Sequence, residues 1–455
     1  MAGRRRPSIE DREPRIDLFD DPPWDPESDG KRGPLRWLLH VAFVLFLAFL
    51  GLLGLAGVLA VALIFIGLHG LGSLNLAPST PPSHNGLDIA LSPEGSVAYV
   101  TEPSQNRLLV LDTATSRLIT SVAVGANPTG LAVTPNGAQV WVVNTALPSI
   151  GPGESSGPGT PSGSAGTSVS VVSTATNQVL GTLPVGSGPI DVAFSPDGRE
   201  AYITDYGVLV PGAVTVIDTT TLAETTLTPA TAPSSLAPDW NPTSVAVTPD
   251  GREVWVSGVD ATSGSTSKPD HVYVFDATTH APMAKIAVGT GPYFMVLSRD
   301  GREAYVADKV SCDLREIDTV SFQIVATVHW PKSDGCPFGL AAGPNDDIVY
   351  TVTGNDHTID AGTPGNVFGV VDFRTSQVLV HTHVGSDPVI VASSPRGSTA
   401  YVVDADLPVI DVVNPISGAT TFTIWLPERR DAAASTSTST LTSMTSESER
   451  RRHAG

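Results

Sequence analysis

The segment PIDVAFSPDGREAYITDYGVLVPGAVTVIDTTTLAE, residues 189–224, is the clearest of seven degenerate copies of one sequence unit. Each copy begins with a turn motif, continues with a short apolar run that contains one aromatic residue, and reaches a second β-rich run. The seven turn motifs are LSPEG (91–95), VTPNG (133–137), FSPDG (194–198), VTPDG (247–251), LSRDG (297–301), AGPND (342–346) and SSPRG (393–397). Recurrent turn chemistry at fixed offsets indicates a repeat architecture, in which one unit cannot bury its own apolar face.

The length of the unit selects the kind of repeat. Gly95 and Gly137 are 42 residues apart, and the unit holds four short β runs without helical periodicity. In the second copy these runs are GLAVTP, VWVVN, SVSVVSTAT and QVLGTLPVG, which we label strands A to D. Four strands in about 40 residues are typical of a propeller blade. We therefore predict an all-β, seven-bladed β-propeller of four-stranded antiparallel blades over residues 87–427.

The strand B segments closely resemble those of the YVTN-repeat β-propellers, a bacterial family of surface-layer and surface-antigen type. The matching segments are YVTE (99–102), WVVN (141–144) and YITD (202–205), with flanking pieces such as VIDTTT and LPVGSGP. The resemblance covers residues 87–427 and implies a seven-bladed ring. The family spans surface antigens, adhesins and lactonase-like or quinoprotein-like relatives, so the resemblance implies a fold and not one activity.

The charge of the chain is strongly acidic, with a formal net charge of −20. Residues 37–427 carry 13 basic and 33 acidic side chains, so the predicted propeller accounts for the imbalance. Such a surface repels nucleic acid and anionic lipid and favours cations or basic partners. We expect no nucleic-acid partner, and solubility is the simplest role of this charge.

An apolar segment precedes the repeats. Residues 37–72 contain no charged side chain, and residues 41–68 form an unbroken apolar run of 28 residues. At a rise of about 1.5 Å per residue this run is long enough to cross a hydrocarbon core of roughly 30 Å with some tilt. Lys31, Arg32 and Arg36 lie before it, and no Lys or Arg follows until Arg107. The positive-inside rule then predicts one transmembrane helix, an uncleaved signal anchor over residues 37–71, in a single-pass plasma-membrane protein.

The remaining segments are poor in apolar residues. Residues 1–36 are charged and rich in proline, which predicts a disordered cytoplasmic tail. Residues 72–86 form a short stalk, and residues 428–455 form a Ser/Thr-rich disordered tail. The propeller is therefore expected outside the cytoplasm.

Three blades carry long insertions between strands B and C. They are residues 146–166, 259–270 and 354–366. In an up-and-down blade the B–C and D–A connections emerge on the same face, so one face is elaborated while the other keeps tight turns. Function concentrates on such loops, and we expect a protein or cell-envelope ligand there.

The two cysteines of the chain, Cys312 and Cys336, align with positions on that same face. Because the domain is expected in an oxidising compartment, we predict a Cys312–Cys336 disulfide. Two cysteines alone would not make a zinc site.

Catalytic motifs are scarce. GESSG (153–157) matches the G-x-S-x-G pattern but lies in a low-complexity loop, without the strand and helix that this motif requires. The histidines do not recur at equivalent repeat positions. His381 and His383 share one face of an outer strand, where we interpret them as exposed edge residues. No cofactor motif is evident.

Carboxylates recur at the position three residues after the strand B aromatic. They are Glu102, Asp205, Asp308 and Asp404, four of the seven blades. A collar of this kind would offer oxygen ligands to Ca²⁺ or to another ligand. The alternative, which the residue types favour, is that each carboxylate caps a strand end or turn.

Two classes of function follow. The first is a membrane-anchored, extracytoplasmic binding or scaffold module, which needs only a rigid disc, a loop-rich face and an anchor. The second is an enzyme of the lactonase or quinoprotein-dehydrogenase-like kind, with its site at the channel mouth. The sequence favours the first, because only the carboxylate collar offers acid–base groups to the second.

Overall fold

The computed structural model describes residues 87–145, 167–207, 212–227, 240–259, 269–354 and 365–426. The predicted tail 1–36, anchor 37–71, stalk 72–86 and tail 428–455 lie outside these residues. Within the described part, no helix has the length and apolar character needed to cross a membrane.

The described strands form seven four-stranded sheets, each made of four strands consecutive in sequence. They are β1 (Ile89–Leu91), β2 (Val97–Glu102), β3 (Arg107–Asp112) and β4 (Arg117–Ala123) in blade 1; β5 (Pro128–Val133), β6 (Gln139–Asn144), β7 (Ser168–Ser173) and β8 (Gln178–Pro184) in blade 2; β9 (Pro189–Phe194), β10 (Glu200–Asp205), β11 (Ala213–Asp218) and β12 (Glu224–Leu227) in blade 3; β13 (Asn241–Val247), β14 (Glu253–Val259), β15 (His271–Asp276) and β16 (Pro282–Ala287) in blade 4; β17 (Pro292–Leu297), β18 (Glu303–Asp308), β19 (Asp313–Asp318) and β20 (Gln323–His329) in blade 5; β21 (Pro337–Ala342), β22 (Ile348–Thr353), β23 (Val367–Asp372) and β24 (Gln377–His383) in blade 6; β25 (Pro388–Ser393), β26 (Ala400–Asp404), β27 (Val409–Val413) and β28 (Thr420–Trp425) in blade 7.

Neighbouring strands pair antiparallel throughout, as in blade 3, where Tyr202 pairs with Ala193 on one side and with Val216 on the other. Blades 3, 4, 5 and 7 share a bulge at the start of strand A. The skipped residues are Ile190, Thr243, Tyr293 and Val389. A bulge redirects the side chain of the extra residue, and three of these four side chains line the central channel.

The core lies between the blades rather than within them. The described residues form seven apolar clusters, and each lies mainly between two neighbouring blades. One of them packs Ile89 and Leu109 of blade 1 against Ile390 and Val403 of blade 7. This cluster between blades 7 and 1 also includes Phe338 of blade 6. Among the described residues, blade 7 therefore meets blade 1 by apolar packing, and each blade takes its four strands from one repeat. The segment 79–85, which could add a strand to blade 7, lies outside the described residues.

The repeated strand B aromatic belongs to this interface core. Tyr202 and Trp255 are fully buried. Each ring meets the C–D turn of the following blade: Tyr202 contacts His280, and Trp255 contacts Phe322 at 5.9 Å between ring centroids. The aromatic recurs because each blade needs a large apolar group that reaches its neighbour.

Candidate binding face and central channel

The four rim carboxylates lie at the ends of strands B, where the sequence placed them, and each has its own partner. Glu102 accepts a hydrogen bond from Arg107 Nε at 2.5 Å, and Asp308 forms an ion pair with Arg315. Asp205 Oδ2 accepts from Thr215 Oγ1 at 2.6 Å. The partner of each of these three belongs to the same blade as the carboxylate.

Asp404 is capped by backbone amides. Its Oδ2 accepts from the amide of Asp387 at 2.9 Å, and its Oδ1 accepts from the amide of Leu407 at 2.7 Å. This is the turn-capping arrangement that the residue type favours.

Glycines in the D–A connections make room for these rim side chains. A Cβ atom on Gly186 would lie 2.4 Å from Asp205 Cγ, and one on Gly385 would overlap Asp404. The same relation holds between Gly125 and Asn144 in blade 2. The recurring glycine of the VGxxP segments is therefore explained by the close approach of the rim residue.

Burial changes the ionisation of two rim groups. Burial raises the pKa of Asp205 to about 7. It also raises the pKa of Asp308 to about 7, although Arg315 opposes that rise. The Oδ1 atom of each is buried and accepts no hydrogen bond from the described residues. Nowhere in the described part do three or more His, Cys, Asp or Glu side chains form a group that could hold a metal ion.

In addition to the rim carboxylates, two carboxylates line the central channel, Asp88 and Asp191. We did not predict them from the sequence. Asp88 Oδ2 accepts from the amide of Leu131 in blade 2 at 2.9 Å. Asp191 Oδ2 accepts from the amide of Val245 in blade 4 at 3.0 Å. Each carboxylate thus ties its own strand A to strand A of the next blade. Their equivalent positions in GLDIALSP and PIDVAFSP were the signal that could have revealed them.

The environment raises the pKa of both channel carboxyls. For Asp88 the pKa rises to about 7, because burial disfavours the charged form and Asp191 adds a like charge. Burial also raises the pKa of Asp191. Neighbouring amides oppose both shifts by donating to the ionised form.

The polar side chains of the channel lining all come from blades 1 to 4, which also contribute the apolar Leu87 and Ile190. Blades 1 to 4 contribute Asp88, Asp191, Thr129 and Thr243, whereas blades 5 to 7 contribute Phe294, Phe338 and Val389. The space left between these side chains is a cavity of about 20 Å³, which is room for about one water molecule. A substrate-sized molecule does not fit in a space of this size.

The predicted disulfide is present: the Cys312 and Cys336 Sγ atoms are bonded, and their Cα atoms are 4.8 Å apart. Both cysteines are buried. The bond joins the start of β19 to the start of β21, and so links blade 5 to blade 6.

The three insertions all connect strands B and C. Their described ends are Asn144 and Ser168 in blade 2, Val259 and His271 in blade 4, and Thr353 and Val367 in blade 6. GESSG and most of each insertion lie outside the described residues. Because every blade is an antiparallel meander, these ends lie on the same face as the rim carboxylates.

Comparisons with known proteins agree on the fold. No family model matches the chain, so the YVTN-repeat assignment remains a resemblance. The chain is 27% identical over 349 residues to the seven-bladed beta-propeller protein Rv1057 of Mycobacterium tuberculosis, covering 70% of this chain and 78% of that protein.

Solved structures also resemble the chain, among them the following two. Kuenenia stuttgartiensis hydrazine synthase matches with a TM-score of 0.57 and 21% identity, over 76% of this chain and 99% of that chain. The Cps50 (Swd1) β-propeller domain of Myceliophteria thermophila matches with a TM-score of 0.54 and 10% identity, over 70% and 93%. At such identities the likeness shows the fold alone. The class of protein is therefore a seven-bladed β-propeller.

Proposed function

We propose that this protein is a membrane-anchored, extracytoplasmic β-propeller that binds a protein or cell-envelope ligand on its B–C/D–A face. The observation that carries the proposal is the position of the three insertions, which all begin and end at that face. Loops held by a rigid scaffold are where recognition concentrates.

The packing of the channel supports a surface site. The cavity between these channel side chains has a volume of about 20 Å³, which is room for about one water molecule. The rim carboxylates already have partners within hydrogen-bonding distance. The channel and rim then act as scaffold, and the insertions supply the contact surface.

The anchor and the compartment belong to the proposal. The uncharged run 41–68 and the basic residues before it support a single-pass signal anchor with the N-terminus in the cytoplasm. The bond between Cys312 and Cys336 agrees with an oxidising compartment. The acidic surface argues against nucleic acid as a partner.

A site-specific crosslinking experiment tests which face binds. A photoreactive amino acid is placed at Gln105 or Leu407, in the B–C connections of blades 1 and 7, and in matched variants at Arg199 or Arg252, in the A–B turns. We expect discrete crosslinked products in intact cells from the first pair only. Products from Arg199 and Arg252 alone would place the partner on the opposite face and refute the proposal.

The alternative is a propeller enzyme of the lactonase or quinoprotein-dehydrogenase-like kind with its site at the channel mouth. One observation favours it, namely the two channel carboxyls whose pKa values are raised, because perturbed pairs are typical of acid–base sites. A lactone or quinone-dependent activity that disappears in both Asp88→Asn and Asp191→Asn, in variants that remain folded at the assay pH, would support the enzyme.

A further inference from the structure

The outer strand of blade 6 presents two histidines side by side. His381 and His383 are two residues apart on β24, so their side chains project from the same face of the strand. Their ring centroids are 6.2 Å apart, and both side chains are exposed.

An oxygen atom lies at one ring nitrogen of each histidine. His381 Nε2 is 2.8 Å from Asp334 Oδ2, and His383 Nδ1 is 2.9 Å from Asn366 Oδ1. Because these oxygens accept hydrogen bonds, each held nitrogen carries the proton. In the neutral imidazoles, which are the forms that bind metal ions, the lone pairs then lie on His381 Nδ1 and His383 Nε2. Histidines that bind metals almost always have their second nitrogen held in this way.

Trp330 fixes the first of these rings. Its indole stacks on His381 with the ring centroids 5.9 Å apart and the planes 29° apart. The indole occupies space over Gly369, where a Cβ atom would lie 2.4 Å from Trp330 Cη2. Gly369 pairs with His381 across β23 and β24. The absence of a side chain at Gly369 therefore leaves room for the indole beside the His381 ring.

We propose that His381 and His383 form a two-imidazole binding site for a divalent transition metal ion, with Cu²⁺ preferred. Imidazole nitrogens are ligands for copper, nickel and zinc, and divalent affinities peak at Cu²⁺. Nitrogen–metal distances are about 2.0 Å, and the ring centroids are 6.2 Å apart. The two rings share one ion once the exposed His383 side chain rotates together with its Asn366 partner, while Trp330 and Asp334 hold His381 in place. Because no three candidate ligands group together in the described residues, water completes the coordination and the ion stays exchangeable.

Copper titration of the full-length chain in detergent micelles tests the site. Bound copper is measured by equilibrium dialysis, and tryptophan fluorescence is recorded in parallel. Cu²⁺ on His381 quenches the emission of Trp330, since the two rings are stacked. We expect saturable quenching that follows the dialysis curve.

Variants separate this site from other copper binding. The copper affinity measured by tryptophan quenching should fall by at least about 10-fold in His381→Asn and in His383→Asn. It should fall by about 10-fold in Asp334→Asn. Trp330→Phe should abolish the quenching and retain the bound copper. His329→Asn is the matched control: His329 also pairs with a carboxylate, Asp313 at 2.6 Å, but lies on β20 of blade 5.

Thermal melting of each variant verifies that it folds. Quenching that is equal in the wild type and in the His381→Asn/His383→Asn double variant would overturn the proposal. A wild-type chain without saturable quenching would overturn it as well.

Discussion

At the scale of the residue, the glycines of the D–A connections determine how closely the loop backbone can approach the rim side chain at the end of strand B. Gly385 combines a left-handed backbone, with φ of 49°, with direct approach to the Asp404 carboxylate. A side chain at this position would be strained twice, once by the backbone and once by the overlap.

We therefore expect Gly385→Ala to lower the free energy of unfolding by about 2 kcal/mol, as measured by urea denaturation. Gly181→Ala is the matched control, because a Cβ atom added there would have no other atom within 4 Å and the residue sits on an exposed outer strand. It should be neutral or slightly stabilising. Equal losses in both variants would contradict the explanation.

The channel carboxyl of Asp88 makes stability depend on pH. Its pKa of about 7 in the folded protein exceeds the ordinary value of 3.8, so the folded state binds this proton more tightly than the unfolded state does. Its contribution to stability is greatest below about pH 4 and declines as the pH rises to about 7.

Asp88→Asn removes this titration. The variant loses part of the amide contacts at every pH, which lowers its free energy of unfolding. As the pH rises from 4 to 7, however, the difference in free energy of unfolding between variant and wild type should shift in favour of the variant by about 1 to 3 kcal/mol. Urea denaturation across that range measures the difference. Asp112→Asn is the control, and its pH dependence should have the opposite sign. Because the amide of Thr115 lowers the pKa of Asp112, this variant should lose stability relative to the wild type as the pH rises. A pH-independent difference for Asp88→Asn would show that Asp88 is ionised throughout.

The rim carboxylates give a prediction about calcium. Because Glu102, Asp205, Asp308 and Asp404 each have a local partner, millimolar Ca²⁺ should leave the melting temperature unchanged. Binding at 100 times Kd would instead stabilise the fold by roughly 2.7 kcal/mol. A clear rise in melting temperature that Asp308→Asn abolishes would establish a calcium site at the rim.

At the scale of the element, blades 5 and 6 are joined more firmly than apolar packing alone would join them. The Cys312–Cys336 bond closes a chain segment with a sequence separation of 24 and links the starts of β19 and β21. Both sulfur atoms lie in the apolar cluster between the two blades, so the bond reinforces an interface that already exists.

Replacing both cysteines by serine should lower the free energy of unfolding by about 3 kcal/mol, according to the chain-entropy account of a loop of this length. Urea denaturation of the double variant measures the loss. The wild type under full reduction is the control and should lose a similar amount. An unchanged stability would mean that apolar packing alone holds these blades together.

At the scale of the whole molecule, seven similar interfaces lie between neighbouring blades, and the strands that flank the three insertions all open toward one face. If residues 37–71 form the anchor, this face and the rest of the propeller are outside the cytoplasm. Protease added to intact cells should then cut the insertions and the C-terminal tail while leaving residues 1–36 intact. Permeabilised cells, in which both sides are cut, provide the control. A soluble mature chain that begins near residue 78 would contradict the anchor.

Local chemistry made the fold predictable from the sequence. Turn residues such as Pro196 and Gly198, and the β runs around them, act over a few positions, so the strand order and the number of blades could be predicted without coordinates. The alignment of repeats placed Cys312 and Cys336 on one face, and it placed the rim carboxylates at the strand ends.

Only the tertiary structure decided which distant side chains meet. Asp88 and Asp191 face the same cavity, and Trp330 stacks on His381, because ring closure and side-chain packing bring together residues far apart in sequence. The partner of each rim carboxylate also depended on packing: Asp308 has Arg315, whereas Asp404 has backbone amides. Periodicity determines where a side chain leaves the backbone, but its partner and its burial depend on the packing of its own blade and of the neighbouring blade.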